Sequence, residues 1–438
     1  MKALGLDIGS STIKGAVLNL DQGAIGASVS VPFPAPDPGL PPGWFEVSPE
    51  GIETAVRNVL QALLEQVSSP VGLYVSGQMG GVLVVDHDGR PLSNYISWRD
   101  QRSLQPLSDA GRNVLDEIRA RWDDRLFSSL GNELQAGSTT ALLFWLTQRQ
   151  LLPSRGIPVS VGDYVVGRLC GQQPAMHVTH AIGLLDLAAV DWHRTALAQL
   201  GLDSVALPAL ATEIQSRGWA HIAGRRFPVC GAYGDQQCAL RGAGLSRGEL
   251  SLNISTGSQV SQRVDRFLPG NYQTRMYFDG DWLNTVTHLP AGRSLNALVD
   301  LLTELAGAEG VALRDPWGYL IRQAADIPHT DLEVDLAFFA GPLGYGGRIS
   351  GITTENLTAG HLFHAAFRQM ADNYARCAAW LDPDRSATAI VLSGGMTRSN
   401  PLLRRLIAER FPQLLRESDG EETLLGLLDL ARSATAAV

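Results

Sequence analysis

Lysine is nearly missing from this chain: of 35 basic residues only Lys2 and Lys14 are lysine, and the rest are arginine. No basic run occurs, and 44 acidic side chains leave a formal charge of -9. That balance excludes a general nucleic-acid binder, which needs a positive face, but leaves small anions held locally open. Cysteine is scarce too. Cys170, Cys230, Cys238 and Cys377 form no C-x-x-C and are too few for a disulfide framework. Reduced, mostly buried thiols in a cytoplasmic protein are expected. No uncharged apolar stretch reaches about 18 residues, so neither a membrane span nor a membrane partner is expected. The N-terminal apolar run is broken by Asp7 and a glycine–serine loop, unlike a signal peptide. A G-x-x-x-x-G-K-[ST] phosphate loop is also absent.

What is present is ample core material: 438 residues, 45% hydrophobic and 18% charged. At roughly 100–200 residues per domain this predicts two or three domains. Residues 3–7, 12–20 and 24–31 read as a meander of strands, with Gly9-Ser10-Ser11 and Asp21-Gln22-Gly23 as turns. Helical spacing of Ile52, Val56, Val59, Leu60, Leu63 and Leu64 predicts a helix over 50–66, started by Ser48-Pro49. Strands follow at 71–76 and 82–86. The segment 100–225 reads as mainly helical, with helices at 141–152 and from 163. The pattern resets near 230. Strands at 249–254, 260–264 and 388–393 and helices at 292–308, 360–381 and 401–411 complete the reading, with Asn400-Pro401 as N-cap and first turn. A strand, a glycine/hydroxyl loop and a second strand occur at 3–20 and again at 249–264. We read this as a remote internal duplication, with a domain boundary near 240–248.

Four stretches could carry chemistry. Asp7-x-Gly9-Ser10-Ser11-Thr12-x-Lys14 ends a buried strand with a carboxylate, which needs a metal, water or donors. Its small residues let backbone N–H groups approach a phosphate, and hydroxyls and Lys14 add donors; an ordinary hairpin with an Asx-turn is the bland alternative. Ser255-Thr256-Gly257 repeats that hardware, or is a plain hairpin turn. Asp235 is either a helix N-cap, which spacing alone favours, or a general base, a role its helix terminus would weaken. Gly394-Gly395 brings a strand-to-helix turn close to a flat ligand or is merely tight. His177-x-x-His180 lacks partners for a metal site and reads as solvent-exposed. Gly344-x-Gly346-Gly347 follows no clear strand and reads as a loop.

Taken in order, GLDIGSSTIKGAVLN, VSGQMGG, SWRDQRS, YGDQQCALRGAG, LNISTGSQVS and LSGGMTRSNPLLRRLIAERF resemble the motifs of the FGGY carbohydrate kinases, within the sugar kinase, heat-shock chaperone and actin superfamily. The resemblance covers nearly the whole chain. It implies an α/β fold of two ribonuclease H-like (actin-like ATPase) domains with an interdomain cleft. Residues 1–244 would be the N-terminal sugar-binding and catalytic domain, and 245–438 the C-terminal nucleotide-binding domain. It implies ATP and Mg2+ as cofactors and a small-molecule sugar as substrate. Asp235 would be the general base on the sugar hydroxyl, and Asp7 would orient Mg2+ through water, with Asp235 the other carboxylate at the metal. Gly9, Ser10, Ser11, Thr12 and Lys14 would meet the terminal phosphates, with Thr256 and Gly257 opposite. Gly394, Gly395 and Asn400 would border the adenine, and Gln78, Met79, Trp98 and Asp100, with Asp235, would line the sugar site.

Within the family the chain looks closest to sedoheptulokinases, through DYVVGRLCG, LNISTGSQVS and GDQQ; xylulokinases share the QM-type sugar segment. Two departures bear on the substrate. Gly80 stands where QMHG kinases carry histidine, which is expected to open the pocket to acceptors bulkier than a pentulose. GYGGR at 344–348 replaces the family's G-E-R segment. The expected activity is ATP-dependent phosphorylation of a ketose, sedoheptulose first, with xylulose or another sugar or polyol as alternative. A conformational ATPase of the actin or chaperone kind is the alternative of another class, against which the sugar-site series from Gln78 to Asp100 argues.

Overall fold

The computed structural model describes residues 1–107, 111–418 and 420–436. Strands β1 (Lys2–Ile8), β2 (Thr12–Asn19) and β3 (Ala24–Pro32) form the expected meander, each antiparallel to the next. Helix α1 (Pro49–Leu64) then crosses under the sheet, so that β4 (Leu73–Gly77) lies parallel to β1. Ala3, Leu4 and Leu6 are all buried, because β1 is covered on both faces, which explains its unbroken apolar run. Gly15 lets α1 come close: a Cβ there would sit 2.7 Å from both Leu63 and Val59. Helix α2 (Val161–Cys170) packs on the far edge, where β5 (Ser216–Ile222) and β6 (Arg225–Gly234) complete the order β5-β6-β4-β1-β2-β3, with β6 parallel to β4.

Helix α3 (Asp235–Gly242) leads out of this sheet into the second one. Strands β7 (Leu250–Asn253), β8 (Ser258–Val264), β9 (Gln273–Met276) and β10 (Trp282–Leu289) precede helices α4 (Gly292–Ala308) and α5 (Ala359–Leu381). Strand β11 (Ala389–Ser393), helix α6 (Pro401–Arg410) and β12 (Leu414–Glu417) follow, giving the order β9-β10-β8-β7-β11-β12. Strands β7, β8 and β10 form an antiparallel meander, and β11 and β12 run parallel beside β7. Strands β1, β2, β3, β4 and β6 have the same arrangement. The internal repeat read from two loops is therefore a repeat of topology, of the ribonuclease H-like kind.

Helix α7 (Glu422–Ala436) returns to the first sheet and crosses α3. A division of the chain at 244 thus follows the order of the chain, whereas its last helix packs with the first half. The crossing is backbone on backbone: a Cβ on Gly426 would lie 1.9 Å from the Cys238 carbonyl oxygen, and one on Gly242 1.8 Å from that of Glu422. The segment 100–225 is less helical than its composition suggests, since β5 and short strands such as Ile157–Val159 interrupt it. All four cysteines are free, and three are buried. No helix among the described residues is long and apolar enough to cross a membrane.

Candidate active site

Three parallel strands end on one edge of the first sheet, and each delivers a polar residue there. The register pairs Asp7 with Ser76 across β1 and β4, and Gly77 with Gly234 across β4 and β6. Asp7, Gln78 and Asp235 therefore converge at the carboxyl ends of neighbouring strands, the edge at which open α/β sheets bind ligands. Asp7 Oδ1 accepts a hydrogen bond from Ser76 Oγ at 2.9 Å. Burial raises the Asp7 pKa to about 6, against the Ser76 bond and Lys14, which lower it.

Asp235 is the first residue of α3, with Gly234 in the cap position, so it is not the N-cap that spacing favoured. Its Oδ1 accepts from the Gln236 N–H at 2.8 Å. Burial first, and then the charge of Asp7, raise its pKa to about 7. Desolvation thus outweighs the helix terminus, and the carboxyl is a stronger base than its position implies. Two carboxyls that repel one another suit a shared divalent cation. No closed set of three His, Cys, Asp or Glu ligands exists among the described residues. Mg2+ held together with nucleotide phosphates needs only one or two carboxylates, so Asp7 and Asp235 fit it.

The second sheet repeats the device. Asn253 ends β7 much as Asp7 stands one residue from the end of β1, and its Nδ2 donates to Ser393 Oγ at 3.1 Å, as Ser76 bonds Asp7. Loop 254–257 is tied to its surroundings by Ile254 N–H on Ser393 O, Gly292 N–H on Ser255 O and Arg293 N–H on Thr256 O. The Thr256 and Gly257 surfaces stay exposed. In the first loop Gly9 N–H bonds Thr12 O, leaving Ser11 and Thr12 exposed and Ser10 partly so. Lys14 is engaged by Glu421, at 2.5 Å. Gly394 has φ +93 and packs so closely on Ile254 O that a Cβ would lie 2.3 Å away; Gly395 opens a one-turn helix. Asn400 caps α6 through Leu403 N–H, as expected, and its buried Nδ2 has no partner.

Among the residues expected at the sugar, Gln78 is 2% exposed, its Nε2 reaches Gly9 O at 3.4 Å, and its Oε1 is unpaired. Met79 packs against Gly234. Trp98 is 37% exposed. Asp100 is wholly buried, and both its oxygens are taken by Arg102 and Phe45 N–H. Gly80 opens no void on its own side. Its φ is +77, and a Cβ would meet Trp98 Cβ at 3.2 Å and Gly137 O at 3.3 Å.

His177 and His180 are buried, not exposed as read from sequence. They sit under Asp235: His177 packs edge-on against Tyr233, and Thr179 Oγ1 accepts from Gly234 N–H at 3.0 Å. Sequence reasoning also missed a buried polar chain between the halves. Arg275 pairs with Glu133 and donates to Gln236 Oε1. Gln236 Nε2 in turn reaches Gln259 Oε1 at 3.0 Å. Ser76, just before Gly77-Gln78, could have been found from strand register; Glu133, Arg275 and Glu421 carry no local signal.

Residues 2–242 match the model of the FGGY family of carbohydrate kinases, N-terminal domain. The chain is 24% identical over 463 residues to sedoheptulokinase of Mus musculus, an alignment covering 93% of this chain and 92% of that one. It is 27% identical over 277 residues to glycerol kinase of Thermococcus gammatolerans, covering 59% of this chain and about half, 53%, of the other. Gluconate kinase from Lactobacillus acidophilus superposes with a TM-score of 0.87 at 19% identity, over 100% of this chain and 90% of that structure. The chain belongs to the FGGY family of carbohydrate kinases, phosphotransferases that use ATP with Mg2+ and act on an alcohol group.

Proposed function

We propose that this kinase transfers the γ-phosphoryl of ATP to a hydroxyl of a ketose, with sedoheptulose the first acceptor to test and xylulose, or another sugar or polyol, the second. The observation that carries the reading is the convergence of Asp7 and Asp235 at adjacent strand ends beside the hydroxyl-bearing loops 9–14 and 254–257. A ketose is put first on the motifs DYVVGRLCG, LNISTGSQVS and GDQQ; the likeness to a sedoheptulokinase through 93% of the chain supports it no more than that to a glycerol kinase through 98% supports a polyol. The division of labour follows the chain: residues 1–244 bind sugar and catalyse, and 245–438 bind nucleotide. The reaction belongs in the cytoplasm, where ATP is available and the four free cysteines stay reduced.

Asp235 takes the proton of the acceptor hydroxyl as its oxygen bonds to the γ-phosphorus, and ADP leaves with the electron pair of the broken P–O bond. In a loose phosphoryl-transfer transition state positioning dominates and proton removal is late. Ser10, Ser11, Thr12 and Lys14 hold the terminal phosphates from one side and Thr256 and Gly257 from the other. Gly394, Gly395 and Asn400 flank the adenine. Gln78 presents its unpaired Oε1 to the sugar, Met79 and Trp98 offer apolar surface, and Asp100 acts through the Arg102 pair that holds the Trp98 segment. Asp7 and Asp235 would hold Mg2+, which would supply neutralisation of the phosphate charge.

The test is ADP release across a panel of ketoses, aldoses and polyols, with the product located by mass and NMR analysis. Asp235→Asn is expected to cut turnover by about 10²–10⁴-fold while nucleotide binding persists. Full turnover in that variant would overturn the assignment.

A further inference from the structure

His288, next to last in β10, has φ +60, a left-handed conformation that a non-glycine residue adopts only under constraint. The cause is a bulge. Ser258 pairs with Leu289 and Val260 with Val286, so Thr287 and His288 together face the single residue Gln259. The bulge turns the imidazole toward the first half of the chain, where its Nδ1 lies 3.3 Å from the Gln135 amide. Gln135 begins the turn closed by Ser138 N–H on Gln135 O, and Gly137 of that turn packs against Trp98 and accepts from Gly81 N–H. Gly80 and Gly137 both lie against Trp98, and neither brings a side chain.

The proton positions around His288 follow from the buried chain behind it. Glu133 can only accept, so Gln273 turns its Nε2 to it, at 2.9 Å. Gln273 Oε1 then faces Thr287 Oγ1, which must donate its one proton, at 2.6 Å. Thr287 Oγ1 is left as acceptor for His288 Nδ1–H, at 2.8 Å. Gln135 Nε2 stands 3.3 Å from Nδ1; two donors cannot face each other, so the same accounting turns this amide over and brings its oxygen to Nδ1. Nε2 is therefore bare, and no hydrogen bond reaches it among the described residues. The chain's other end, Arg275, donates to Gln236, the residue after Asp235.

We propose that His288, held by Gln135 and Thr287, selects the acceptor: its Nε2 accepts a hydrogen bond from a hydroxyl remote from the one phosphorylated. The acceptor class is then a polyhydroxylated chain that carries a hydroxyl remote from the one phosphorylated. This rests on the kinase reading and narrows its substrate.

The test compares wild type, His288→Gly and His288→Asn on glycerol, pentuloses and a seven-carbon ketose, reading acceptor KM, ATP KM, kcat and thermal unfolding. Glycine relieves the left-handed backbone, so His288→Gly is expected to melt no lower than wild type. Its KM for the acceptors of five or more carbons rises about five- to tenfold, the worth of one hydrogen bond, and its ATP KM moves by less than about twofold. Asn tolerates the same backbone and keeps an acceptor oxygen, so His288→Asn recovers part of the loss. Unchanged acceptor KM and acceptor ranking in His288→Gly overturn the assignment of His288 alone. No turnover by wild type on any acceptor overturns the kinase reading, and this inference with it.

Discussion

Lys14, which closes the loop proposed to meet the phosphates, ends on the carboxylate of Glu421, 407 residues further along the chain. Both side chains are partly exposed, 29% and 52%, so the pair is worth under about 1 kcal/mol. Its consequence is for ligand binding, because a carboxylate occupies the cation that nucleotide phosphates would use. Glu421→Gln should lower the ATP KM about two- to fivefold, with a melting temperature within about 2 °C of wild type. Steady-state kinetics at low and high salt check this, and a raised ATP KM would mean that Glu421 positions Lys14 instead of competing for it.

Placing a histidine at position 80 should cost stability. Gly80 has φ +77, and Trp98 Cβ and Gly137 O stand close to any added Cβ. The left-handed backbone alone costs a side chain about 1–2 kcal/mol. Gly80→His should therefore melt several degrees lower and bind the acceptor worse. A variant that melts like wild type would show that Trp98 yields easily.

The crossing of α3 and α7 admits no side chain. Gly426→Ala drives a Cβ into the Cys238 carbonyl and should destabilise by about 3 kcal/mol or more. Gly307→Ala, in the last turn of α4 with open space around it, should stabilise by about 0.4–1 kcal/mol, chiefly by restricting the unfolded chain. Urea unfolding of the two variants separates close helix approach from helix propensity.

His177 and His180 are held neutral by burial, which lowers their pKa values to about 3 and about 4 from 6.5. The unfolded chain takes up protons below 6.5 that the native state refuses, so these two residues withdraw stability as pH falls toward 4. Burial of Asp163, raised to about 7, acts in the opposite sense, since its native form keeps a proton the unfolded chain has lost. A variant is therefore read against wild type. His180→Phe should gain on wild type by up to about one proton's worth of slope between pH 6.5 and 4 and show no pH-dependent gain above 7. A constant difference across that range would mean that His180 is protonated in the native state.

Much of the fold was legible because its signals are local. The run from Ala3 to Leu6, the helical spacing from Ile52 to Leu64 and the Asn400-Pro401 pair each act within a few residues, and each element formed as read. The histidines were misread for the same reason. Nothing beside His177 in the chain announces that Tyr233 and Phe278 will cover it. The segment 100–225 hid its strands because β5 finds its partner only in β6 and carries exposed Trp219 on an edge.

The sequence by itself determined which residues could do chemistry: Asp7, Asp235 and the two hydroxyl loops, since a carboxylate or a glycine-rich turn at a strand end is a property of a short stretch. Only the tertiary structure decided what those residues meet. Parallel pairing of β1, β4 and β6 brings Asp7 and Asp235 to one edge, where burial raises both pKa values and the charge of Asp7 raises that of Asp235 further. The partners of Lys14 and His288, Glu421 and Gln135, lie 407 and 153 residues away, and no local pattern encodes contacts made by the packing of distant strands and helices.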